Sequence, residues 1–254
     1  MPLCQLPTGA TLYYDEQGEG FPVIAIHGWL GTAQTHLARL MDWLRLNGYR
    51  AVGPTRRGYG DSLPKPRDYP DDFYQRDARD VLSFMDEMEI PAAHLMGYSD
   101  GGETALLMAG MQPQRFRSVA VWGAVGSFDS TLRPRIQSNY PATWMDEETR
   151  RINHIRDQGS ADRLVLGWIN AVKHIIDAGG DISLSNAHKI TAPLLMMLGK
   201  DDTLNPERLG RRFIERVPKG KLVMFPCGHA IHDEQWEAFA ETVGPFLQNA
   251  DKGR

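Results

Sequence analysis

Short apolar runs alternate with longer segments of helical periodicity along most of this chain, and the alternation predicts a mostly parallel sheet covered by helices. Val23–Ile26, Ala93–Met96, Ser118–Trp122, Ala192–Leu198 and Lys221–Phe225 read as buried strands. Helices are expected over Gln34–Leu46, Asp72–Met88, Thr104–Met111, Pro206–Val217 and Asp233–Gln248. An N-terminal hairpin is expected first, with Leu12-Tyr13-Tyr14 as one strand and a turn around Gly18-Glu19-Gly20. Between Ser127 and Asn186 the strand runs cease and Arg, Trp and helical spacing take over. Residues 127–186 are therefore expected to be a helical cap inserted into one core made of residues 1–126 and 187–254.

The junctions between elements carry the chemistry. Gly97-Tyr98-Ser99-Asp100-Gly101-Gly102 lies between a strand and a helix and has the form of a nucleophile elbow. There a serine sits on a turn so sharp that its neighbours need to lack bulk. A strand, a glycine turn and an N-capping serine would look the same, so the partners decide. In such a fold an acid and then a histidine follow the nucleophile, each after a strand. Asp202 follows the strand at 192–198, and His229 follows the strand at 221–225. Ser99, Asp202 and His229 are thus the expected nucleophile, acid and base. Asp201 competes with its neighbour for the acid role, and His232, three residues past His229, is expected to start a helix.

The oxyanion donors are expected to be the backbone N–H of Asp100 and that of Trp29, in the loop His27-Gly28-Trp29-Leu30-Gly31 after an inner strand, with Leu30 as the other candidate in that loop. His27 is expected to brace that loop. Trp144, Leu164, Trp168 and Ile169 of the cap would line a pocket or simply pack on the core, as their three-to-four spacing equally allows. Met108, Met196 and Met197 are expected in the core.

These features resemble the α/β-hydrolase superfamily over nearly the whole chain. Arg57-Gly58-Tyr59-Gly60-Asp61-Ser62, Tyr69 to Ala78, the elbow and Val121-Trp122-Gly123-Ala124 are more closely similar to the biphenyl hydrolase-like, or valacyclovirase, group of α-amino acid ester hydrolases. That resemblance implies a serine hydrolase of carboxylic esters in which Asp100, the acid after the nucleophile, binds the substrate's α-ammonium group. A carboxylate beside the reacting carbonyl gives a cation a charge-assisted partner worth about 1.5–3 kcal/mol. A helix-capping Asp100 would give no such selection. Glu103, one turn on, stands where the group would have an apolar residue, and would reinforce the acidic subsite or pair with a surface cation. Thr55 and Arg56 replace the usual Asp and its neighbour before Arg57, and Arg56 and Arg57 are expected to brace the Gly58–Ser62 turn. Rival readings are a general carboxylesterase, a thioesterase, a carbon–carbon bond hydrolase, an aminopeptidase, a perhydrolase, or a binding protein on the same fold.

Composition narrows the setting. The 254 residues are 42% hydrophobic and 24% charged with a net charge of −4, which suits one globular domain and lacks the basic footprint of a nucleic-acid binder. Cys4 and Cys227 are too few for a disulfide framework, and neither paired ligand spacing nor a Gly-x-Gly-x-x-Gly fingerprint is present. No metal and no cofactor are expected, and the partner is a small-molecule ester rather than a nucleic acid or a membrane. Without a signal-like start or a membrane-length apolar run, the expected address is the cytoplasm.

Overall fold

A computed structural model describes residues 2–252. Eight strands form one sheet: β1 (Leu3–Gln5), β2 (Thr11–Gln17), β3 (Pro22–Ile26), β4 (Arg50–Pro54), β5 (Ala93–Tyr98), β6 (Phe116–Trp122), β7 (Leu194–Gly199) and β8 (Gly220–Phe225). They lie in the order β1-β2-β4-β3-β5-β6-β7-β8, with β1, β2 and β4 paired antiparallel and every later pair parallel. All six residues of β5 and of β7 are buried. Continuous apolar runs are what strands covered on both faces require. Alternate residues serve opposite faces. Val23 and Ala25 pack with α1 (Ala33–Leu46), while Ile24 and Ile26 pack with α2 (Phe73–Glu87) and α3 (Asp100–Met111).

Leu37, Leu40, Met41 and Leu44 of α1 are buried at the three-to-four spacing of an amphipathic helix. Thr32 caps that helix, its hydroxyl accepting from the Thr35 N–H while the Thr35 hydroxyl accepts from the Thr32 N–H. Met108, Met196 and Met197 are fully buried. Cys4 and Cys227 are free thiols. No helix among the described residues is long and apolar enough to cross a membrane.

The N-terminal strand expected at 12–14 does not turn back at Gly18–Gly20 to form a hairpin. β2 pairs with β1 and with β4, and β4 separates it from β3. The two glycines serve a crossing instead. A Cβ on Gly18 would lie 2.5 Å from the Tyr49 carbonyl oxygen, and one on Gly20 would lie 2.3 Å from that of Gly48. Positive φ at both positions completes the case for glycine. The C-terminal helix, expected as one piece, is two: α8 (Ile231–Glu234) and α9 (Trp236–Lys252), joined through Gln235 at φ −139 and ψ 49.

Between β6 and β7 lie α4 (Arg133–Gln137), α5 (Glu147–Ile152) and α6 (Gln158–Asp177), with α7 (Glu207–Ile214) following β7. Trp168, Ile169 and Val172 of α6 join the same buried cluster as α2 and α3. Asn153 Nδ2 donates to the Leu30 carbonyl at 2.7 Å, tying this segment to the loop after β3.

Candidate active site

β3, β5, β7 and β8 are parallel, so the loops that leave them gather along one edge of the sheet, where doubly covered parallel sheets bind ligands. Ser99 follows β5 directly and adopts φ 55 and ψ −125, a backbone conformation that a residue with a side chain keeps only when its surroundings impose it. Those surroundings are backbone. A Cβ on Gly97 would come within 2.4 Å of the Gly101 carbonyl oxygen, and one on Gly101 within 2.3 Å of that of Ile26. The Ser99 N–H donates to the Trp122 carbonyl at 2.9 Å, anchoring the turn to β6.

His229 Nε2 lies 2.9 Å from Ser99 Oγ, and His229 Nδ1 lies 2.7 Å from Asp202 Oδ2. With Nδ1 donating to the carboxylate, Nε2 is the acceptor that faces the serine hydroxyl. Asp202 is held from three further directions: the Leu204 and Asn205 N–H groups donate to Oδ1 at 2.9 and 3.1 Å, and Asn205 Nδ2 donates to Oδ2 at 3.1 Å. Burial would raise the Asp202 carboxyl, but the His229 hydrogen bond and charge, with the Asn205 and Leu204 donors, outweigh it and hold it below the usual carboxylate value. Asp201 is exposed. Gly123, at φ 61 after β6, leaves room for the imidazole, since a Cβ there would lie 2.7 Å from His229 Cε1.

His232 lies in α8, buried, with Trp122 Nε1 donating to its Nδ1 at 3.0 Å and its Nε2 2.8 Å from the His36 carbonyl. His27 is fully buried; its Nε2 accepts from the Arg56 N–H at 2.9 Å and its Nδ1 faces the Gly28 carbonyl at 2.7 Å. Burial, then the Arg56 charge, keep it well below the ordinary histidine value, so it braces the loop as a neutral ring. That loop adjoins Ser99. A Cβ on Gly28 would sit 3.2 Å from Ser99 Cβ, and Trp29 follows it.

Asp100 begins α3, yet its side chain makes no cap. Tyr74 Oη donates to Oδ1 at 2.7 Å and Trp168 Nε1 donates to Oδ2 at 3.1 Å. Burial pushes the carboxyl up from its ordinary value, while the Arg56 charge and the Tyr74 hydrogen bond oppose the rise. Glu103 turns away. It accepts from the Val125 and Gly126 N–H groups at 2.8 to 3.1 Å, and burial pushes its carboxyl up to about 7. It therefore neither reinforces an acidic subsite nor pairs with a surface cation.

Arg56 and Arg57 reach further than the turn they were expected to brace. Arg56 pairs with Asp77 at 3.0 Å, Arg57 grips Asp80 at 2.7 and 2.8 Å, and Arg67 grips Asp77 at 2.7 and 2.8 Å. Burial drives this, because guanidinium groups removed from water need carboxylates and α2 supplies them.

A cavity of about 240 Å³ opens above Ser99, with Asp100, His229, Trp29, Trp168 and Arg135 among its lining residues. Trp29 stacks on Trp168 at 4.5 Å and meets Trp144 at 5.9 Å. Trp144 is 48% exposed, whereas Leu164 lines a different cavity. Among the described residues no group of three His, Cys, Asp or Glu side chains is placed to hold a metal ion.

Residues 23–242 match the alpha/beta hydrolase family. The chain belongs to that family. Serine hydrolase BPHL of Homo sapiens is 30% identical over 249 residues, which cover 94% of this chain and 84% of that protein. The non-heme chloroperoxidase CPO-A1 of Kitasatospora aureofaciens is 27% identical, covering 89% of this chain and 90% of its own. A solved meta-cleavage product hydrolase from Pseudomonas fluorescens IP01 superposes with a TM-score of 0.75 at 23% identity, over 98% of each chain, and so shares the fold. This member of the alpha/beta hydrolase family is accordingly an enzyme, and its resemblance to the biphenyl hydrolase-like group extends over most of its length.

Three residues of this site are given no role of their own by the sequence: Asn205, Tyr74 and Gly123. Asn205 was the nearest to detection, because it stands three residues beyond Asp202 in the same loop and donates Nδ2 to its Oδ2 at 3.1 Å. Tyr74 stands 26 residues from Asp100 and offers no local signal.

Proposed function

We propose that this hydrolase cleaves carboxylic esters through an acyl-enzyme, with Ser99 as nucleophile, and that it prefers α-amino acid esters. The observation that carries the first part is the unbroken line Asp202–His229–Ser99, 2.7 and 2.9 Å in its two steps, ending on a serine held at φ 55. Ser99 Oγ attacks the ester carbonyl as His229 Nε2 takes its proton. Asp202 keeps Nδ1 protonated and stabilises the imidazolium that forms. The backbone N–H groups of Asp100, at the positive end of α3, and of Trp29, beside Gly28, are the donors for the developing oxyanion. His229 then protonates the leaving alcohol, and a water deprotonated by the same ring releases the acid.

The preference for amines rests on Asp100. Each of its oxygens has accepted one hydrogen bond, and a carboxylate has about four acceptor positions, so capacity remains for an ammonium group beside Ser99. One observation favours a general carboxylesterase instead: with Tyr74, Trp168 and the Arg56 charge around it, Asp100 is also well placed as a purely structural anion.

Ser99→Ala tests the chemistry. Ester hydrolysis and labelling by a fluorophosphonate should both disappear, and activity near the original level would remove Ser99 from the role. Asp100→Asn tests the preference. The ratio of kcat/KM for an alanyl ester to that for its propanoyl analogue should fall roughly tenfold or more, as expected for loss of a charge-assisted bond; an unchanged ratio selects the general esterase.

A further inference from the structure

The cavity above Ser99 is bipolar. Asp100, 4% exposed, is the one carboxylate among its lining residues, and Arg135, exposed on α4, is the one guanidinium. Other arginines of the segment between β6 and β7 and of α7 are engaged: Arg133 pairs with Asp177, Arg151 with Glu148 and Arg208 with Asp129, while Arg150 donates to the Met145 and Ala142 carbonyls. Arg135 differs. Among the described residues no carboxylate lies within ion-pair distance of it, and its guanidinium has one hydrogen bond, to Ser138 Oγ at a long 3.3 Å. His36, which lines the same cavity, is held down to about 4 by burial first and then by the His232 charge, so it adds no positive charge at neutral pH.

We propose that Arg135 is an anion subsite for the alcohol half of the substrate, so that the preferred ester carries a carboxylate on its leaving group. This rests on the acyl-enzyme reading above. An α-ammonium lies two bonds from the ester carbonyl and belongs beside Asp100, next to Ser99. A carboxylate there would be repelled by Asp100. The leaving alcohol departs toward solvent, and at that open side a planar guanidinium without a counter-ion meets it with two parallel N–H donors. Hydrolysis adds one water across the ester and releases an amino acid and a hydroxy acid, the second of which leaves past Arg135.

The test compares esters of 3-hydroxypropanoate with those of 3-hydroxypropanamide, each with an alanyl and with a propanoyl acyl group. Wild-type enzyme should favour the carboxylate-bearing alcohol in kcat/KM. Arg135→Gln should remove roughly fivefold of that preference, chiefly through KM, and added salt should weaken it in the wild type, as for other exposed ion pairs. Arg156→Gln makes the same charge change in a separate cavity beside Gly58 and Pro66, and it should leave the ratio in place. A wild type without the preference, a ratio unmoved by Arg135→Gln, or one moved equally by Arg156→Gln overturns the proposal. The propanoyl pair keeps the outcome separate from any failure of amine selection. Loss of hydrolysis of the esters of both alcohols in Ser99→Ala separately checks the acyl-enzyme step.

Discussion

Trp168 Nε1 donates to Asp100 Oδ2 at 3.1 Å, so a helix of the segment between β6 and β7 holds the residue that follows Ser99. The same indole stacks on Trp29, whose loop lies beside Ser99. One side chain thus joins α6 to both walls of the site.

Trp168→Phe keeps a ring for Trp29 and removes the donor. A buried carboxylate that loses one partner should cost about 1–3 kcal/mol, read as a lower urea midpoint at an unchanged m-value. A midpoint equal to the wild type would mean that water replaces the indole.

Asp202→Asn preserves the shape of the acid but lets the amide offer a proton to His229 Nδ1, favouring the tautomer that points its other proton at Ser99. The expected result is a fall in kcat on the order of 10⁴ with little change in KM, measured on any ester the wild type cleaves.

Glu103 ties the protein's stability to pH. Its carboxyl titrates near 7 when folded against a reference value of 4.5, because burial disfavours the charge, so the folded state holds the proton more tightly. The resulting stabilisation is complete below about 4.5 and is lost as pH rises through 7. Glu103→Gln keeps Oε1 for the Val125 and Gly126 N–H groups and removes the titration. From pH 4.5 to 7.5 the wild type should lose roughly 3 kcal/mol relative to this variant in urea unfolding. Parallel curves would show that Glu103 does not titrate in this range.

Asp77 faces Arg56 and Arg67, with both side chains of the Arg56 pair fully buried. Asp77→Asn strands two buried cations and should cost about 3–5 kcal/mol in chemical unfolding. Asp80→Asn removes the partner of Arg57, which is 10% exposed, and should cost less. An equal loss from both would mean that burial does not set the scale.

What could be read before the fold was known follows from what is local in sequence. Ser99, Asp202 and His229 each follow an apolar strand run, and those runs lie side by side in a parallel sheet, so the three meet in space. β4 escaped because only Ala51 and Val52 break the polar surroundings before Gly53 and Pro54, which look like a turn. Packing explains that glycine: a Cβ on Gly53 would lie 2.5 Å from Ala33 Cβ of α1. The Gly18–Gly20 hairpin was misread for the same reason, since the close approach that demands glycine there is to Gly48 and Tyr49, some 30 residues on. The roles of Tyr74, Arg67 and Glu103 depend on partners in other elements, and no periodicity records such pairings.

The ionic clamp on α2 bears on more than that helix. Asp77, fastened by Arg56 and Arg67, lies one turn beyond Tyr74, whose hydroxyl holds Asp100. Asp202, Ser99 and His229 stand on loops of the sheet and share none of these bonds. On the proposed roles, the side chains that make and break bonds and the carboxylate that selects the substrate have different side-chain partners, so substitutions in α2 or α6 are expected to alter ester selection before they disturb the Asp202–His229–Ser99 line.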